Sequence, residues 1–337
     1  MTPAQLAELN IKLLAEGMQP VSRSPGLQFL KAGSGKGREG WWNSEKFMEQ
    51  TKATVYACEI MYPDHQIVFE VDWSCGHNAF APDALRTEKM NVSFGGKQPK
   101  LRSTTVCQSD LGPHQPKLSP GDTQHMVFQA DDEAPFYAPT TPAVDETDAD
   151  GKVVQEGYVG KAKGLKQVLW ERGWWTDRCE CCDRPLIGTA KRAEDACRAM
   201  DNMLGRCQDF AAETSEFDKL LRGRGHIPLF SPKYHPEIAG CGIEYSWGKS
   251  KYEFRRRPDA KSDFHRVVKE CLGPEVLSLQ RVRKFARRSR QYMRVYHLMA
   301  TEQPDGARAK SDIEERLMVR GVRATLPASS WMWPCLT

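Results

Sequence analysis

Three absences narrow the kind of protein that this 337-residue chain can be. No apolar run approaches the roughly 20 residues that cross a bilayer, so we expect no membrane partner. Residues 1–17 alternate apolar and polar side chains at helical spacing and lack the basic start and apolar block of a secretory signal, so we do not expect secretion. The glycine-rich segment at 33–37 lacks the Gly-Lys-Ser/Thr ending of a nucleotide-binding loop and predicts a turn.

Charge is distributed unevenly along the chain, although the net charge is only +4. Residues 129–151 contain seven acidic side chains and no Lys or Arg. Residues 247–296 contain fifteen Lys and Arg against five Asp and Glu. A basic block of this size is either a solvated face or a surface that attracts a phosphate backbone. The second interpretation predicts a nucleic-acid partner.

Two short apolar stretches predict strands, and each leads to an acidic side chain. Residues 66–71 are rich in β-branched and aromatic side chains, are bounded by turn residues, and end at Asp72. Residues 226–230 predict a second strand, which a proline turn joins to a helix with Glu244 in its first turn. The pattern predicts an α/β fold, in which sites lie at the carboxyl ends of strands. Asp72 and Glu244 are therefore candidate ligands of shared divalent metal, unless Asp72 only caps a turn.

Apolar side chains recur at helical spacing in further segments. The predicted helices cover about 1–17, 43–62, 163–172, 191–221, 243–254 and 278–299. The last of these has one apolar face and one basic face, and it forms the predicted basic C-terminus of the fold. The candidate DNA-binding residues are Arg255, Arg256, Arg283, Lys284, Arg287, Arg288 and Arg290.

Residues 91–160 have little periodic pattern and are rich in Pro, Gly, Thr and Asp. This composition predicts a long irregular insertion that adds little to the central sheet. With the helices that follow it, the insertion extends over about 91–222. Its acidic part, 140–156, is expected to be exposed and disordered.

The chain contains 11 cysteines, and without a secretory signal we expect reduced thiols. Five of them lie close together in sequence before the second strand: Cys179, Cys181, Cys182, Cys197 and Cys207. Zinc requires four soft ligands, and the set Cys179, Cys182, Cys197 and Cys207 could supply them. Their spacing is not that of a standard zinc finger. The alternative is that they are unpaired thiols in a helical insertion.

Six segments, taken in order, resemble the eukaryotic DDE-type transposases of the mariner-like group. They include Val-Asp-Trp-Ser-Cys-Gly-His at 71–77 and Pro-Lys-Tyr-His-Pro-Glu at 232–237 with Ile-Glu at 243–244. The full set covers 35–42, 68–77, 91–98, 163–173, 232–244 and 283–293. The resemblance spans about residues 27–297, and its specificity comes from the order of the set, because no single segment is decisive.

The resemblance implies an RNase H-like core and an ancestry in DNA cutting and strand transfer. It assigns Asp72 to the second acid and Glu244 to the third acid of a triad that holds two Mg²⁺ or Mn²⁺ ions. It makes His77 either a residue that touches substrate or metal or an ordinary turn histidine. It also implies DNA as partner and a nuclear rather than cytoplasmic location, and it leaves a homodimer open.

Two departures from the family pattern bear on activity. No strand ending in Asp precedes the 35–42 segment, and Glu39 matches a different family position. The turn before Glu244 is two residues longer than the family turn. The chain also lacks the family's helix-turn-helix DNA-binding domain. The resemblance therefore describes a transposase core without its first strand.

Together these observations predict an N-terminal helical extension (1–26), an RNase H-like core (27–300) and a C-terminal tail (301–337). They predict a transposase-derived DNA nuclease or strand transferase that is impaired by the missing first Asp. The alternatives are a non-enzymatic DNA-binding remnant and a zinc-stabilised interaction module. A third carboxylate near Asp72 and Glu244 would favour the enzyme, and bound zinc would favour the interaction module.

Overall fold

The computed structural model describes residues 1–302 apart from 27, 29 and 261, with side chains as far as residue 298. The chain divides into two compact units. Unit 1 comprises Met1–Ala79 and Phe217–Thr337, and unit 2 comprises Phe80–Glu216. Unit 2 overlaps the predicted insertion but begins before it. The predicted tail lies outside the described residues, except for its first two positions.

Helices form most of the regular structure. The α-helices of the described residues are α1 Pro3–Ala15, α2 Ser44–Met61, α3 Leu165–Glu171, α4 Met200–Gly205, α5 Gln208–Ala211, α6 Glu216–Gly223, α7 Ile243–Arg256, α8 Phe264–Cys271 and α9 Leu279–Glu302. The strands are β1 Val68–Val71, β2 Thr104–Thr105, β3 Thr123–Gln124, β4 Glu146–Thr147, β5 Val153–Gln155 and β6 Ile227–Phe230. Among these helices none is long and apolar enough to cross a membrane.

Side-chain caps set the start of the first two helices of unit 1. Thr2 and Gln5 exchange reciprocal bonds at the start of α1, and Pro3 occupies the first turn, where its missing amide is not needed. The Asn43 side chain accepts a hydrogen bond from the Lys46 amide at the start of α2. Both predicted helices are confirmed. The buried core around them includes Leu9, Leu13, Val55, Tyr56, Phe217 and Leu221.

The two predicted strands of unit 1, β1 and β6, are confirmed and pair in parallel over four residues each. Side chains alternate across a strand, so Phe69 and Val71 pack on the apolar core while Glu70 and Asp72 take the opposite face. Within the described part of unit 1 this pair is the whole sheet. The α/β character is therefore present, whereas the finer RNase H-like arrangement stays a prediction.

Helix α9 packs against the turn that leads from β6 into α7. Gly242, at the start of α7, has a left-handed φ of 97°, and a Cβ there would lie 2.7 Å from the carbonyl carbon of Phe285. Glycine thus permits both the turn and the close approach of α9. The buried Ser289 hydroxyl donates to the Ile238 carbonyl at 3.2 Å. These contacts fix the basic helix beside the first turn of α7.

Unit 2 contains two short antiparallel hairpins, β2–β3 and β4–β5, and contributes no described strand to the β1–β6 pair. This agrees with the prediction for residues 91–160. The prediction of disorder at 140–156 is wrong, because β4 and β5 form an exposed hairpin there. The Asp148 carboxylate accepts hydrogen bonds from the amides of Asp150 and Lys152 and so organises the turn.

The single helix predicted over 191–221 is wrong. The segment contains a 3-10 helix at Ala193–Arg198 and then α4, α5 and α6 as separate short helices. Helix α4 ends at Gly205, and Cys207 is extended, with ψ at 141°, between α4 and α5. A glycine and an extended residue interrupt the helix although apolar spacing continues through them.

A buried polar network helps to hold unit 2 together. The fully buried Arg172 guanidinium donates to both oxygens of Asp209, at 2.9 and 2.6 Å, and to the Gln124 side chain at 2.5 Å. Gln124 in turn donates to Glu171 at 3.0 Å. Glu171 also pairs with Lys163 at 2.9 Å. Each buried charge in this network thus has an oppositely charged partner.

Candidate functional site

Asp72 and Glu244 lie at the same end of the β1–β6 pair. Asp72 directly follows β1, and Glu244 occupies the first turn of α7, which residues 231–242, with a 3-10 helix at Ala239–Gly242, join to β6. Because β1 and β6 are parallel, their carboxyl ends meet at one edge. This is the edge at which sites form in open α/β sheets.

Asp72 is paired with a histidine rather than left free. Its carboxylate lies 2.9 Å from Nδ1 of His77, whose ring rests 4.3 Å from the ring of Phe47. The hydrogen bond from His77 lowers the pKa of Asp72, although partial burial opposes this change. The same bond raises the pKa of His77. His77 therefore acts at least as a positioning residue for Asp72.

The pKa of Glu244 is shifted in the opposite direction to that of Asp72. Burial raises the pKa of Glu244, the negative charge of Asp72 raises it further, and the positive charge of Lys251 lowers it. The charge of Asp72 thus affects the pKa of Glu244, although less than the charge of Lys251 does. Lys251 lies two helical turns after Glu244 on α7, and its significance was not apparent from the sequence. The i, i+7 spacing from Glu244 is the signal that could have revealed it.

Glu70 supports the turn that carries Glu244. On the face of β1 that it shares with Asp72, its carboxylate accepts from the Ser231 hydroxyl at 3.1 Å and from the Cys241 amide at 3.3 Å. The Cys241 thiol also lies 2.9 Å from it, and this contact raises the pKa of Cys241. Glu70 therefore connects β1 to the segment just before α7.

The two additional residues of this turn are accommodated by unusual backbone conformations. Gly240, Cys241 and Gly242 have φ angles of 53°, 50° and 97°, all in the left-handed region. For the non-glycine residue such a conformation is unfavourable. Its hydrogen bonds to Glu70 offset that cost. Glu39, the other acid considered as a substitute, accepts a hydrogen bond from the Lys31 amide within its own loop.

A pair of Mg²⁺ ions would need three converging carboxylates, and the described residues do not gather them. Among those residues, only the thiols of Cys179, Cys182 and Cys197 form a group of three or more such ligand atoms, all within 4.8 Å of one another. Asp72 and Glu244 supply two carboxylates to the edge of the sheet. The described residues therefore do not fit a centre of two Mg²⁺ or Mn²⁺ ions.

Some basic side chains of residues 247–296 form ion pairs with acidic side chains, and others do not. Around α8, the guanidinium groups of Arg257 and Arg266 form ion pairs with Asp259, Asp263 and Glu270. On α9 four of the predicted DNA-binding side chains are exposed and have no acidic partner within 4.0 Å among the described residues: Arg283, Lys284, Arg287 and Arg290. We call these four residues the α9 basic face.

The other predicted DNA ligands have different surroundings. Arg288 is half-buried, lies over the Tyr292 ring at 5.1 Å and donates to its hydroxyl, so it contributes to packing. Arg255 and Arg256 are exposed at the end of α7, and Arg256 donates to the Tyr252 hydroxyl at 3.2 Å. The α9 basic face is therefore the largest group of exposed, unpaired basic side chains among the predicted residues that the structure describes.

The predicted zinc set is only partly brought together. Cys179, Cys182 and Cys197 converge, whereas Cys207 is buried in the apolar core of unit 2, where its thiol contacts the Asp110 carbonyl at 3.8 Å. Backbone and side-chain hydrogen bonds from Arg184 help to lower the pKa of Cys182 to about 7, although desolvation opposes them. The inclusion of Cys207 as a ligand is therefore wrong, because an extended residue and a core position turn its thiol away from the other three.

Comparison of the chain with protein-family models, with curated proteins and with solved structures finds no match. A function for the chain therefore has to be argued from its own residues.

Proposed function

We propose that the chain is a transposase-derived DNA-binding protein whose capacity to cut DNA is impaired. Unit 1 provides the DNA-binding surface through the α9 basic face. Asp72 and Glu244 remain from a catalytic centre that lacks its third acid. The observation that carries this proposal is the position of α9, which packs against the turn that leads to Glu244.

The acid pair supports the DDE part of the proposal. Asp72 and Glu244 are far apart in sequence but lie at the same carboxyl edge of a parallel strand pair. The charge of Asp72 contributes to the raised pKa of Glu244. A buried carboxylate that repels a neighbouring carboxylate is costly for stability, and such arrangements are concentrated at functional sites. Glu244 is half-buried at this edge, and its raised pKa comes mainly from that burial.

The charge distribution supports the DNA part. The α9 basic face is exposed and lacks acidic partners among the described residues, whereas the arginines around α8 are neutralised by their own neighbours. A phosphate backbone is the common ligand for such a surface, because binding releases the counterions condensed on the nucleic acid. Contacts of this kind position a protein on DNA without reading its sequence.

Impairment follows from the ligand set. The Asp72 carboxylate is engaged by His77, and Glu70 is engaged by Ser231 and Cys241. Two carboxylates hold two divalent ions less well than three, and a displacement of about 1 Å at a reacting centre can cost roughly 100-fold in rate. The expected activity is therefore binding with little or no cleavage.

A second candidate function is a residual metal-dependent nuclease that uses Glu70 as its third acid. The specific observation in its favour is that Glu70 and Asp72 share one face of β1. For this function Glu70 would have to exchange its bonds to Ser231 and Cys241 for a metal ion.

A nicking assay separates these two functions. The full chain is incubated with supercoiled plasmid and either Mg²⁺ or Mn²⁺, beside Asp72→Ala, Glu244→Ala and Glu70→Gln variants. We expect a retarded protein–DNA complex and no nicking above that of the Asp72→Ala control. Nicking by the wild-type chain that all three substitutions abolish would contradict the proposal that cleavage is impaired. It would favour the residual nuclease. Failure of the wild-type chain to retard DNA at low salt would contradict the proposal itself.

A further inference from the structure

A tight hairpin in unit 2 presents two thiols on one side of the chain. Arg178 and Pro185 form an antiparallel bridge, the Cys179 amide donates to the Arg184 carbonyl at 2.8 Å, and the Asp183 amide donates to the Cys179 carbonyl at 2.8 Å. Asp183 closes the turn with a left-handed φ of 49°, which Asp tolerates better than most residues. This Cys-x-x-Cys turn brings the thiols of Cys179 and Cys182 together.

A separate segment brings a third thiol to the same place. The Ile187 amide donates to the Arg198 carbonyl at 2.9 Å, and the Met200 amide donates back to the Ile187 carbonyl at 2.8 Å. The Arg198 side chain also donates to the Pro185 carbonyl at 3.0 Å. These bonds hold the 3-10 helix Ala193–Arg198 against the hairpin. As a result, Cys197 faces the thiols of the turn.

The spacing of the three sulfur atoms matches a metal site. The Sγ atoms of Cys182 and Cys197 are 3.8 Å apart, and all three Sγ atoms lie within 4.8 Å of one another. A tetrahedral ion with zinc–sulfur bonds of about 2.3 Å has sulfur–sulfur edges of about 3.8 Å. A disulfide would require about 2.05 Å. The arrangement thus has the dimensions of shared coordination rather than of a covalent pair.

Hydrogen bonds hold the thiols of the cluster together: Cys197 donates to the Cys182 sulfur at 3.8 Å, and Cys179 donates to the Cys197 carbonyl at 3.4 Å. Arg184 contacts Cys182, but the same guanidinium is partly neutralised by Asp195 at 3.2 Å. Asp195 also pairs with Arg198 at 2.9 Å. A divalent ion would take the place of these sulfur hydrogen bonds, and cysteine ligands in tetrahedral geometry select zinc among the common divalent ions.

We propose that Cys179, Cys182 and Cys197 bind one Zn²⁺ ion through their thiolates, and that Cys181 supplies the fourth ligand. Cys181 is exposed and is the remaining cysteine of the same turn, next to Cys182 in sequence. Each thiol releases its proton to solvent as its sulfur binds the metal, and no electron transfer is involved.

The ion would connect the hairpin 178–185 to the segment 193–198, so its role is structural. The hairpin contains little regular secondary structure, the second segment is a single 3-10 helix, and Cys179 is the one buried side chain in the two segments. A zinc crosslink is a common way to stabilise such a region, because the free energy of metal binding adds to that of folding. Zinc binding by unit 2 does not depend on the DNA-binding role proposed for unit 1.

The first test measures metal in the full chain, purified under reducing conditions with zinc present. Elemental analysis should find one zinc per chain in the wild type and less than about a tenth of that in Cys179→Ser, Cys182→Ser and Cys197→Ser. The matched controls Cys75→Ser, in unit 1, and Cys207→Ala, in the core of unit 2, should retain one zinc. Loss of zinc in the Cys207→Ala variant, with its circular dichroism unchanged, would mean that Cys207 is a zinc ligand, as the sequence suggested. That result would overturn this assignment.

The second test uses the wild-type chain and does not depend on whether a variant folds. Replacement of zinc by Co²⁺ should give the visible bands of a tetrahedral site and a strong thiolate-to-cobalt charge-transfer band. The charge-transfer band should weaken by about a quarter in Cys181→Ser, and an unchanged spectrum would overturn the assignment of Cys181. Absence of tetrahedral cobalt bands in the wild type, or a Cys182–Cys197 disulfide in the reduced preparation, would overturn the zinc site.

Discussion

The two units bring candidate metal ligands together in opposite ways. In unit 1, residues far apart in sequence meet because two parallel strands place their carboxyl ends at one edge, and the ligands there are oxygen atoms of Asp72 and Glu244. In unit 2 a local hairpin and a neighbouring segment gather the sulfur atoms of three cysteines. The first arrangement depends on the pairing of two strands that are far apart in sequence, whereas the second needs only a short piece of chain.

The two units also differ in how they are stabilised. Unit 1 has an apolar core between α1, α2, α6 and the β1–β6 pair. Unit 2 has an apolar core as well, but it adds the fully buried Arg172 and its partners. A buried charge network is sensitive to the loss of any single member. This difference leads to the largest effect that we expect from one substitution.

Replacement of Asp209 by Ala should destabilise unit 2 by about 3–5 kcal/mol, because it leaves Arg172 buried without its counter-charge. Chemical unfolding monitored by hydrogen exchange, which reports each unit separately, measures the effect. The double variant Arg172→Met with Asp209→Leu removes both charges and should recover much of the loss. A cost below about 1 kcal/mol for Asp209→Ala would show that the network does not hold unit 2 together.

Removal of zinc should destabilise unit 2 and leave unit 1 almost unchanged. With excess chelator, we expect amide exchange in 178–198 to accelerate at least tenfold, which corresponds to about 1.4 kcal/mol. Exchange in α2 and β1 should stay the same. Equal acceleration in both units would mean that the metal stabilises the chain in some other way, and no acceleration in either would remove the structural role of the ion.

The Asp72–His77 pair should stabilise unit 1 over a limited pH range. The lowered pKa of Asp72 adds stability above its unfolded value, which is lost as the pH falls through its folded value. The raised pKa of His77 adds stability below its unfolded value, which is lost as the pH rises through its folded value. The difference in melting temperature between wild type and Asp72→Asn should therefore be largest at about pH 5–6. A difference that is constant from pH 3 to 9 would contradict the pairing.

Glu244→Gln should have a smaller effect of opposite sign. Because burial and the charge of Asp72 raise the pKa of Glu244, its charged form is unfavourable in the folded chain at neutral pH. The neutral amide should raise stability by less than about 1 kcal/mol, since partial solvent exposure screens the repulsion. The gain should shrink as the pH falls and Glu244 itself becomes protonated. A loss of stability in this variant would mean that Glu244 is held by favourable contacts rather than retained at a cost.

Most elements of unit 1, though not α8, were predictable from sequence for a physical reason. β1, β6, α2, α7 and α9 each have a clear apolar periodicity, and the register of the parallel pair follows from burial of Phe69 and Val71. Lys251 was not predicted because its role depends on where Glu244 points after an irregular turn. The left-handed conformations at 240–242 carry no signal beyond the glycines themselves.

Unit 2 was less predictable because hydrogen bonds of the loops, rather than periodicity, determine its structure. The spacing of the cysteines suggested Cys207 as a ligand, yet Cys207 lies in the core and Cys181 lies beside the cluster. The bonds that join Ile187 to the 197–200 segment decide which thiols meet. No local pattern in the sequence indicates that pairing.

The most direct test of the central claim is the salt dependence of DNA binding by the full chain. Binding to a mixed-sequence duplex should weaken steeply with salt, and reversal of Arg283, Arg287 and Arg290 to Glu should reduce the slope of log K against log salt by about 3 or more. Reversal of three exposed lysines of unit 2, Lys89, Lys97 and Lys100, changes the net charge equally and should leave the slope almost unchanged. Equal slopes in the wild type and the α9 variant, or no salt-dependent binding by the wild type, would contradict the assignment of the α9 basic face to DNA.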